Sequence, residues 1–263
     1  MSSVPHMPDL LIESANQILT ITFNRPRVMN ALTWEMVREC KRALNDVARD
    51  GKTRAVILRG AGENFCAGAD IRVEKNCALV EYRDFVSDIQ DLTRALQNMD
   101  AVSIAAIQGY CLGGGSEIAC ACDLRVASED ARIGFPEVSI GLTTTSGMTH
   151  LLPRLIGMTR AKEMMLTGDA IDAQTAERVG LVNRVVAREL LDATAMQLAE
   201  KIKSRAPLAA ATQKHLLDAG ADISLEAALK IEVDAILTTF ASHDGQEGMT
   251  AFIEKRAPRF VGE

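Results

Sequence analysis

Two glycine-containing segments carry the groups best suited to bind an anionic oxygen. They are GAGENFCAGADI (60–71) and GYCLGGGSEIACACD (109–123), and each follows a short apolar run. Gly113 to Gly115 are poor helix formers, at about 1 kcal/mol each against alanine. At the start of a helix, however, they let a ligand approach main-chain N–H groups at a positive helix end. If the two segments converge, their amides would form an oxyanion hole.

The same glycines have a structural alternative, because tight turns and close helix packing also use glycine. A phosphate-binding loop is disfavoured, since no Lys-Ser or Lys-Thr pair follows them. An oxyanion hole and a structural role therefore both stay open on spacing alone.

Two glutamates could add acid–base chemistry to such a site. Glu117 lies three residues beyond Gly114, so the two would share one face of a helix that begins at the glycines. Glu137 follows Pro136, and the proline indicates a turn. Each glutamate also has a structural alternative, because Glu117 could complement the helix dipole and Glu137 could face water. Their spacing does not establish that they meet.

Composition and charge argue against several other functions. Of the 263 residues, 48% are hydrophobic and 24% charged, and 29 basic against 35 acidic residues give a net charge of −6. This balance disfavours a nucleic-acid partner bound through a broad cationic face, and an aromatic content of 4% disfavours a base-stacking platform. No run of 18 uncharged apolar residues is present, so we expect no membrane partner.

The six cysteines predict buried free thiols in a cytoplasmic protein. Residues 1–13, MSSVPHMPDLLIE, lack the basic region and apolar block of a secretory signal. Cys120 and Cys122 form C-x-C without a second pair or a nearby histidine, so we expect no zinc or other metal site.

The elements that must position these segments alternate between strand and helix. Residues 9–24 predict a hairpin with its turn at 14–17, and a helix is predicted from a Thr33 N-cap to about Ala48. Further on, buried strands are predicted over 55–60, 103–109 and 123–127, and a helix over 79–98. This order favours parallel crossover units, hence an α/β layered fold.

The pattern changes after about residue 158. Two short helices and a strand lead into a region that is nearly all helix, predicted over 188–204, 207–219, 224–241 and 244–256. Ser224 and Asp244 are candidate N-caps, and Asp244 with Glu247 resembles a capping box. One helix carries apolar residues that need a surface to cover, either the protein's own core or a neighbouring subunit: Leu225, Leu229, Val233, Ile236, Leu237 and Phe240.

Six blocks of sequence together resemble the motifs of the enoyl-CoA hydratase/isomerase (crotonase) family. They are NRPRVMNAL (24–32), NFCAGADI (64–71), GYCLGGGSEIACACD (109–123), GFPEVSIGL (134–142), LTGDAIDAQTAERVGLVNRVV (166–186) and EGMTAFIEKRAPRF (247–260). The likeness runs from about residue 9 to 260 in the family's order. It implies an α/β fold with a crotonase-like ββα spiral core, residues 1–200, and a helical C-terminal trimerisation region, residues 201–263.

The resemblance also implies a reaction and a site. The oxyanion hole maps onto the backbone N–H groups of Ala69 and Gly114, and the hydratase glutamates map onto Glu117 and Glu137. We assign Glu117 to activate water and Glu137 to donate a proton to Cα. The substrate is then an acyl-CoA thioester, no separate cofactor is needed because coenzyme A is part of the substrate, and a homotrimer or dimer of trimers is expected.

The residues that the resemblance assigns to substrate or CoA binding lie at five places along the chain. They are Arg25, Arg27, Val28, Met29, Ala67, Gly68, Ala69, Asp70, Ile71, Gly113, Gly114, Thr145 and Lys255. Lys255 is expected to reach the nucleotide bound by a neighbouring subunit.

One stretch departs from the family's pattern. Where the family commonly has a run containing Pro-Gly and Gly-Gly, this chain has GLTTTSGMTHLLPRL (141–155), with Thr144 in place of the usual proline and Thr145 in place of the usual glycine. The hydroxyl-bearing residues could reshape the pocket or order water, or they could cap the following helix.

Four functions are compatible with these motifs. The pair of glutamates favours hydration of a trans-2-enoyl-CoA. A shift of a double bond from position 3 to 2 needs one carboxylate and the same oxyanion hole, and a hydrolase or C–C-cleaving enzyme also stays open because of the threonine-rich stretch. An RNA-binding protein on the same fold is disfavoured by the net charge of −6.

Overall fold

The apolar runs of the sequence form the strands of one large and one small sheet. The structure is a computed structural model that describes residues 8–263. Most of the stretch in which we expect no secretory signal, residues 1–7, lies outside the described part of the chain. The strands are β1 (Leu10–Ala15), β2 (Ile18–Phe23), β3 (Ala55–Gly60), β4 (Val102–Ile107), β5 (Tyr110–Leu112), β6 (Leu124–Ser128), β7 (Arg132–Gly134), β8 (Ile171–Asp172) and β9 (Arg184–Val186).

The large sheet has the order β1-β2-β3-β4-β6-β9, and the small one β5-β7-β8. Strands β1 and β2 form the predicted antiparallel hairpin, with a shorter turn than expected because only Asn16 and Gln17, both with positive φ, separate the strands. All other pairs in the large sheet are parallel. The prediction of parallel crossover units is therefore confirmed.

Eleven helices lie among the described residues. They are α1 (Trp34–Asp50), α2 (Ile71–Glu74), α3 (Leu79–Asn98), α4 (Gly114–Ala121), α5 (Met148–Ile156), α6 (Met158–Thr167), α7 (Ala173–Arg178), α8 (Leu191–Lys203), α9 (Pro207–Gly220), α10 (Leu225–Ala241) and α11 (His243–Glu254). The hydroxyl of Thr33 accepts a hydrogen bond from Met36 N and caps α1 as predicted. None of the described helices is long and apolar enough to cross a membrane.

Helices cover both faces of the large sheet, which explains why its strands are apolar on both sides. Val56 and Leu58 of β3 belong to the larger core, to which α1, α3 and α4 contribute. Ile57, between them, faces the opposite side and packs in a second cluster with residues of α8 such as Ala195. Successive residues along a strand point to opposite faces of the sheet, so β3 is buried on both faces.

The chain repeats one unit of two strands and a helix. Strand β4 in the large sheet is followed by β5 in the small sheet and then by α4, and β6 is followed in the same way by β7, a 3-10 turn (Pro136–Ile140) and α5. In the unit that begins with β3, a single bridge between Cys66 and Cys111 stands where the other units have a strand of the small sheet. Successive units thus place a loop and a helix start at the same end of the molecule.

The last helix begins and ends earlier than predicted, at His243 and Glu254 instead of residues 244 and 256. Helix α11 begins one residue before Asp244 and is capped by Ser242, whose hydroxyl accepts from Gly245 N, so the Asp244 cap is wrong. Asp244 is 1% exposed because its carboxylate accepts from the amides of Val261 and Gly262. The predicted capping box of Asp244 with Glu247 is also wrong, because the Glu247 carboxylate pairs with Arg256.

The predicted division at residue 200 falls inside α8. Leu191, Ala195 and Ala199 of that helix are buried against the large sheet, and Ile202 packs on the same cluster. The helices that follow, α9 to α11, form the C-terminal region. The Ser224 cap of α10 is confirmed, since its hydroxyl accepts from Ala227 N.

A close contact at Gly115 sets the position of α4 relative to residues 66–71. A methyl group on Gly115 would lie 2.3 Å from Cys66 O and 2.8 Å from Cys66 Cβ. Neither atom can move independently, because Cys66 is bridged to Cys111. Only glycine lets the helix approach this segment so closely.

We predict that Gly115→Ala destabilises the fold, because overpacking against fixed backbone costs about 1–3 kcal/mol or more. The matched control is Gly220→Ala at the end of α9, where a methyl group meets no atom within 4 Å. The control should be neutral or stabilising by up to about 1 kcal/mol. Urea denaturation of both variants measures the difference, and equal stabilities would contradict the proposed contact.

Candidate active site

A bridge between two loops orients the amide of Ala69. Leu32 N donates to Gly68 O at 2.8 Å, and Asp70 N donates to Leu32 O at 2.9 Å. These bonds form a parallel bridge between Leu32 and Ala69. In such a bridge the partner's hydrogen bonds go to the two neighbours of the bridged residue, so the N–H of Ala69 points to the other side.

The amide of Gly114 faces the same space. Gly114 is the first residue of α4, so its N–H has no partner within the helix. A methyl group on Gly114 would lie 3.7 Å from Ala69 N, and one on Gly68 would lie 3.4 Å from Gly114 N. Within residues 8–263 neither amide has a backbone acceptor. The two amides therefore lie near each other, as the predicted oxyanion hole requires.

Gly113 supports this arrangement without offering its own amide. Its N–H donates to Gly134 O at 3.0 Å, and its φ of 52° is in the region that favours glycine. A methyl group there would lie 3.1 Å from Oε1 of Glu137. Gly113 thus leaves space for that carboxylate beside the start of α4.

Glu117 is held by two hydrogen-bond donors. It is 2% exposed, and its Oε1 accepts from Thr145 N at 2.5 Å while its Oε2 accepts from Ser146 Oγ at 2.8 Å. Burial raises the pKa of Glu117 above its ordinary value, and the two hydrogen bonds oppose that rise. The donors stabilise the ionised carboxylate inside the pocket.

Glu137 lies in a different environment. It belongs to the 3-10 turn that begins at Pro136, and within the described residues its buried Oε2 has no hydrogen-bond partner. Burial, together with the negative charge of Glu117, raises the pKa of Glu137 to about 7, and the residue's own backbone N–H opposes that rise. Near neutrality this carboxyl group is therefore present in both its protonated and its ionised form.

The pocket that holds both glutamates has a volume of about 110 Å³. Apolar side chains form much of its wall, and α3 contributes four of them. The indole ring of Trp34 stacks on Phe85 with ring centroids 5.6 Å apart and so fixes α3 beside α1. The wall is made by Tyr82, Phe85, Val86, Ile89, Ile140 and Leu142.

The α3 side of this wall was missed in the sequence analysis. Tyr82, Phe85 and Ile89 recur at helical spacing, and that signal was available. The same spacing is typical of any core-facing helix, so it could not separate pocket residues from core residues.

The residues expected to contact CoA lie on two adjacent loops. Ala67 N donates to Met29 O, which holds the two loops edge to edge. Arg25 holds these two loops together, because its guanidinium donates to Ala31 O at 2.6 Å and pairs with Asp70 at 3.0 Å. Asp70 also accepts from Arg72 N and caps α2, so it braces the loop.

Several of the residues that are expected to contact CoA are exposed to solvent. Arg27 is exposed beside half-buried Val28, and Met29 and Ile71 are 44% and 53% exposed. Lys255 lies at the C-terminal cap of α11 and does not line the pocket of its own chain.

The threonine-rich stretch lines the pocket and does not cap the next helix. The N-cap of α5 is Gly147, without a side-chain hydrogen bond, so the helix-capping alternative is wrong. Thr143 and Thr145 line the pocket instead. Gln90 of α3 donates to the Thr145 hydroxyl at 3.2 Å. Among residues 8–263 no group of three or more potential ligands is arranged to hold a metal ion.

Comparison with known proteins gives one consistent result. A profile of the family described as "Enoyl-CoA hydratase/isomerase" matches residues 13–263. The short-chain-enoyl-CoA hydratase of Clostridium acetobutylicum is 40% identical over 94% of this chain and 95% of that protein. The crotonyl-CoA hydratase of Syntrophomonas wolfei is 38% identical over 97% of this chain and 98% of that protein. A crystal structure of enoyl-CoA hydratase from Bacillus anthracis has a TM-score of 0.94 at 38% identity and covers 97% of this chain and 100% of that one.

The raised pKa of Glu137 predicts a pH-dependent stability. A carboxyl group whose pKa is raised on folding stabilises the native state below its unfolded value of about 4.5, and that contribution is lost as the pH rises through about 7. Glu137→Gln removes the charge, so its melting temperature should exceed that of the wild type above pH 7.

Thermal melts between pH 4.5 and 8 measure this difference, which should grow through that window and then level off. Glu13→Gln, at an exposed position in β1, is the matched control and should show no such growth. A constant difference for Glu137→Gln would contradict the assigned environment.

Proposed function

The chain belongs to the enoyl-CoA hydratase/isomerase family, and we propose that Glu117, Glu137 and the amides of Ala69 and Gly114 carry its reaction. The predictions of the crotonase fold and of an enoyl-CoA hydratase are confirmed by its relatives. The enzyme adds water reversibly to a trans-2-enoyl-CoA. In this route coenzyme A is part of the substrate. Groups of the protein stabilise the developing negative charge and transfer the protons.

In this proposal the two amides stabilise the charge that develops on the thioester oxygen. Attack of water at Cβ moves an electron pair through the conjugated system onto that oxygen. Preorganised N–H donors stabilise this enolate more strongly than the uncharged carbonyl, so they lower the barrier. The observation that carries the proposal is the closeness of Ala69 N and Gly114 N beside the buried Glu117 and the half-buried Glu137.

The environments of the glutamates support the division of labour. Glu117 accepts two hydrogen bonds that favour its ionised form, so it is assigned to take a proton from water while the hydroxide oxygen bonds to Cβ. Glu137 has a pKa of about 7, so a protonated fraction is available to donate to Cα. Two nearby carboxyl groups with different environments supply the base and the acid.

A small pocket favours a short acyl chain. The pocket has a volume of about 110 Å³, and the side chains of Tyr82, Phe85 and Ile89 line it. We therefore propose a short acyl chain, which agrees with relatives named for short-chain and crotonyl substrates. The CoA portion would lie along the exposed residues of the loops at 25–29 and 67–71.

We also propose that the protein assembles through α10. Six apolar residues of that helix are 48–72% exposed, and Phe252 and Ile253 of α11 are more exposed still. A row of this size in a chain without a membrane-crossing helix among its described residues marks an interaction surface. Copies of the same chain, as a trimer or a dimer of trimers, are the proposed occupants, and Lys255 would then serve a neighbouring site. The cytoplasmic location expected from the sequence stays a prediction.

Replacing either glutamate should stop hydration while substrate binding survives. Glu117→Gln and Glu137→Gln should each lower kcat by about 10²–10⁴, because each removes a proton-transfer group. KM should change little, since the amides and the pocket remain. Loss of the ultraviolet absorbance of crotonyl-CoA follows the reaction.

Glu129→Gln, at an exposed position, is the control and should keep the wild-type rate. Near wild-type turnover of both pocket variants would contradict the acid–base assignment. A wild type that converts 3-enoyl-CoAs but leaves crotonyl-CoA unchanged would make the isomerase assignment correct instead.

Charge on the exposed row should dissociate the assembly. The double variant Val233→Glu and Ile236→Glu should reduce the mass measured by light scattering to that of one chain, because burying two unpaired carboxylates in an interface is unfavourable. Lys230→Glu, at an exposed polar position of the same helix, is the control and should leave the mass unchanged. A wild type that is already monomeric at micromolar concentration would contradict the proposal.

A further inference from the structure

Ser146 has an unusual position for a residue that is not glycine. Its φ of 54° lies in the left-handed region, which costs energy for most side chains. It is nevertheless 1% exposed, and its hydroxyl donates to Oε2 of Glu117 at 2.8 Å. A glycine would relieve the backbone, but it would lose this hydrogen bond.

The hydroxyl supplies something that the neighbouring amide cannot. Thr145 N binds only Oε1 of Glu117. The last torsion of a glutamate side chain has a broad energy profile, so one donor leaves the plane of the carboxylate free to turn. A second donor on the other oxygen fixes that plane. Each oxygen keeps a further lone pair, so the carboxylate can still accept a hydrogen bond from water.

We propose that Ser146 is a positioning residue for hydration, whose hydroxyl holds the Glu117 carboxylate in the orientation from which it deprotonates water. This inference rests on the proposed role of Glu117. It assigns no contact between Ser146 and the substrate, and it concerns a residue outside the expected set of catalytic and binding residues.

The Ser146 hydroxyl opposes the effect of burial on the pKa of Glu117. The ionisable groups that share the pocket with Glu117 are Glu137 from the 3-10 turn, Glu74 from α2 and Tyr82 from α3. Cys120 lies on the next turn of α4. Burial raises the pKa values of Tyr82 and Cys120, so both are neutral near pH 7. Glu137 and Glu74 can only add negative charge. The Ser146 hydroxyl and the Thr145 amide are therefore the groups that favour ionised Glu117.

The test uses two variants with opposite effects on the backbone. Ser146→Ala keeps the strain of positive φ, whereas Ser146→Gly relieves it, and both remove the hydroxyl. If the hydroxyl acts on Glu117, both should move the acidic limb of kcat/KM for crotonyl-CoA upward by about one pH unit, the effect of one hydrogen bond to a charged group. Both should also lower kcat by about tenfold with KM within twofold of the wild type.

Thr149→Ala is the matched control, because it removes an exposed hydroxyl three residues further along, and it should reproduce the wild-type profile. A wild-type profile for both Ser146 variants would overturn the inference. Recovery of the wild-type profile by glycine but not by alanine would also overturn it, since the role would then be structural.

The two proposals fail in different ways. If Glu117→Gln keeps full activity, the proposed function of Glu117 is wrong. If Glu117→Gln is inactive while the Ser146 variants behave as wild type, only the positioning role of Ser146 is wrong.

Discussion

The close approach of α4 to the segment that contains Cys66 is the constraint on which the site depends. A side chain at Gly115 would overlap Cys66 O, so this distance exists only because that residue is glycine. The approach brings the first amide of the helix beside the amide of Ala69. Both donors belong to backbone held by bridges and by a helix, so they need little reorganisation when charge develops on a bound oxygen. A side-chain donor on a mobile loop would lack this advantage.

The same region gives two chemically identical side chains different properties. Glu117 is nearly inaccessible but accepts two hydrogen bonds. Glu137 is more accessible, yet one of its buried oxygens has no partner within the described residues. Burial raises both pKa values, but only for Glu117 do donors from another segment oppose the rise. Acid and base functions can therefore be separated by the positions of a few donors.

The threonine-rich stretch connects these observations. It departs from the pattern that the sequence otherwise resembles, and it supplies the donors to Glu117 together with part of the pocket wall. Its backbone includes one residue other than glycine that has a positive φ, Ser146. Strain of this kind persists only where surrounding contacts maintain it. Here the contacts are the buried position of Ser146 and its hydrogen bond to Glu117, which links the strain to the site.

Local sequence determined much of this protein. The Thr33 cap, the buried face of α1 and the strands on either side of the glycine segments were predictable, because caps and apolar periodicity act over a few residues. The motifs also indicated the two glutamates and two amides. Sequence alone failed where distant chain segments compete for one group: Asp244 binds amides at 261 and 262 instead of capping its helix. Only the tertiary structure brought Ala69, Gly114 and Ser146 around Glu117 and Glu137, because contacts between residues far apart in the chain depend on how whole units pack.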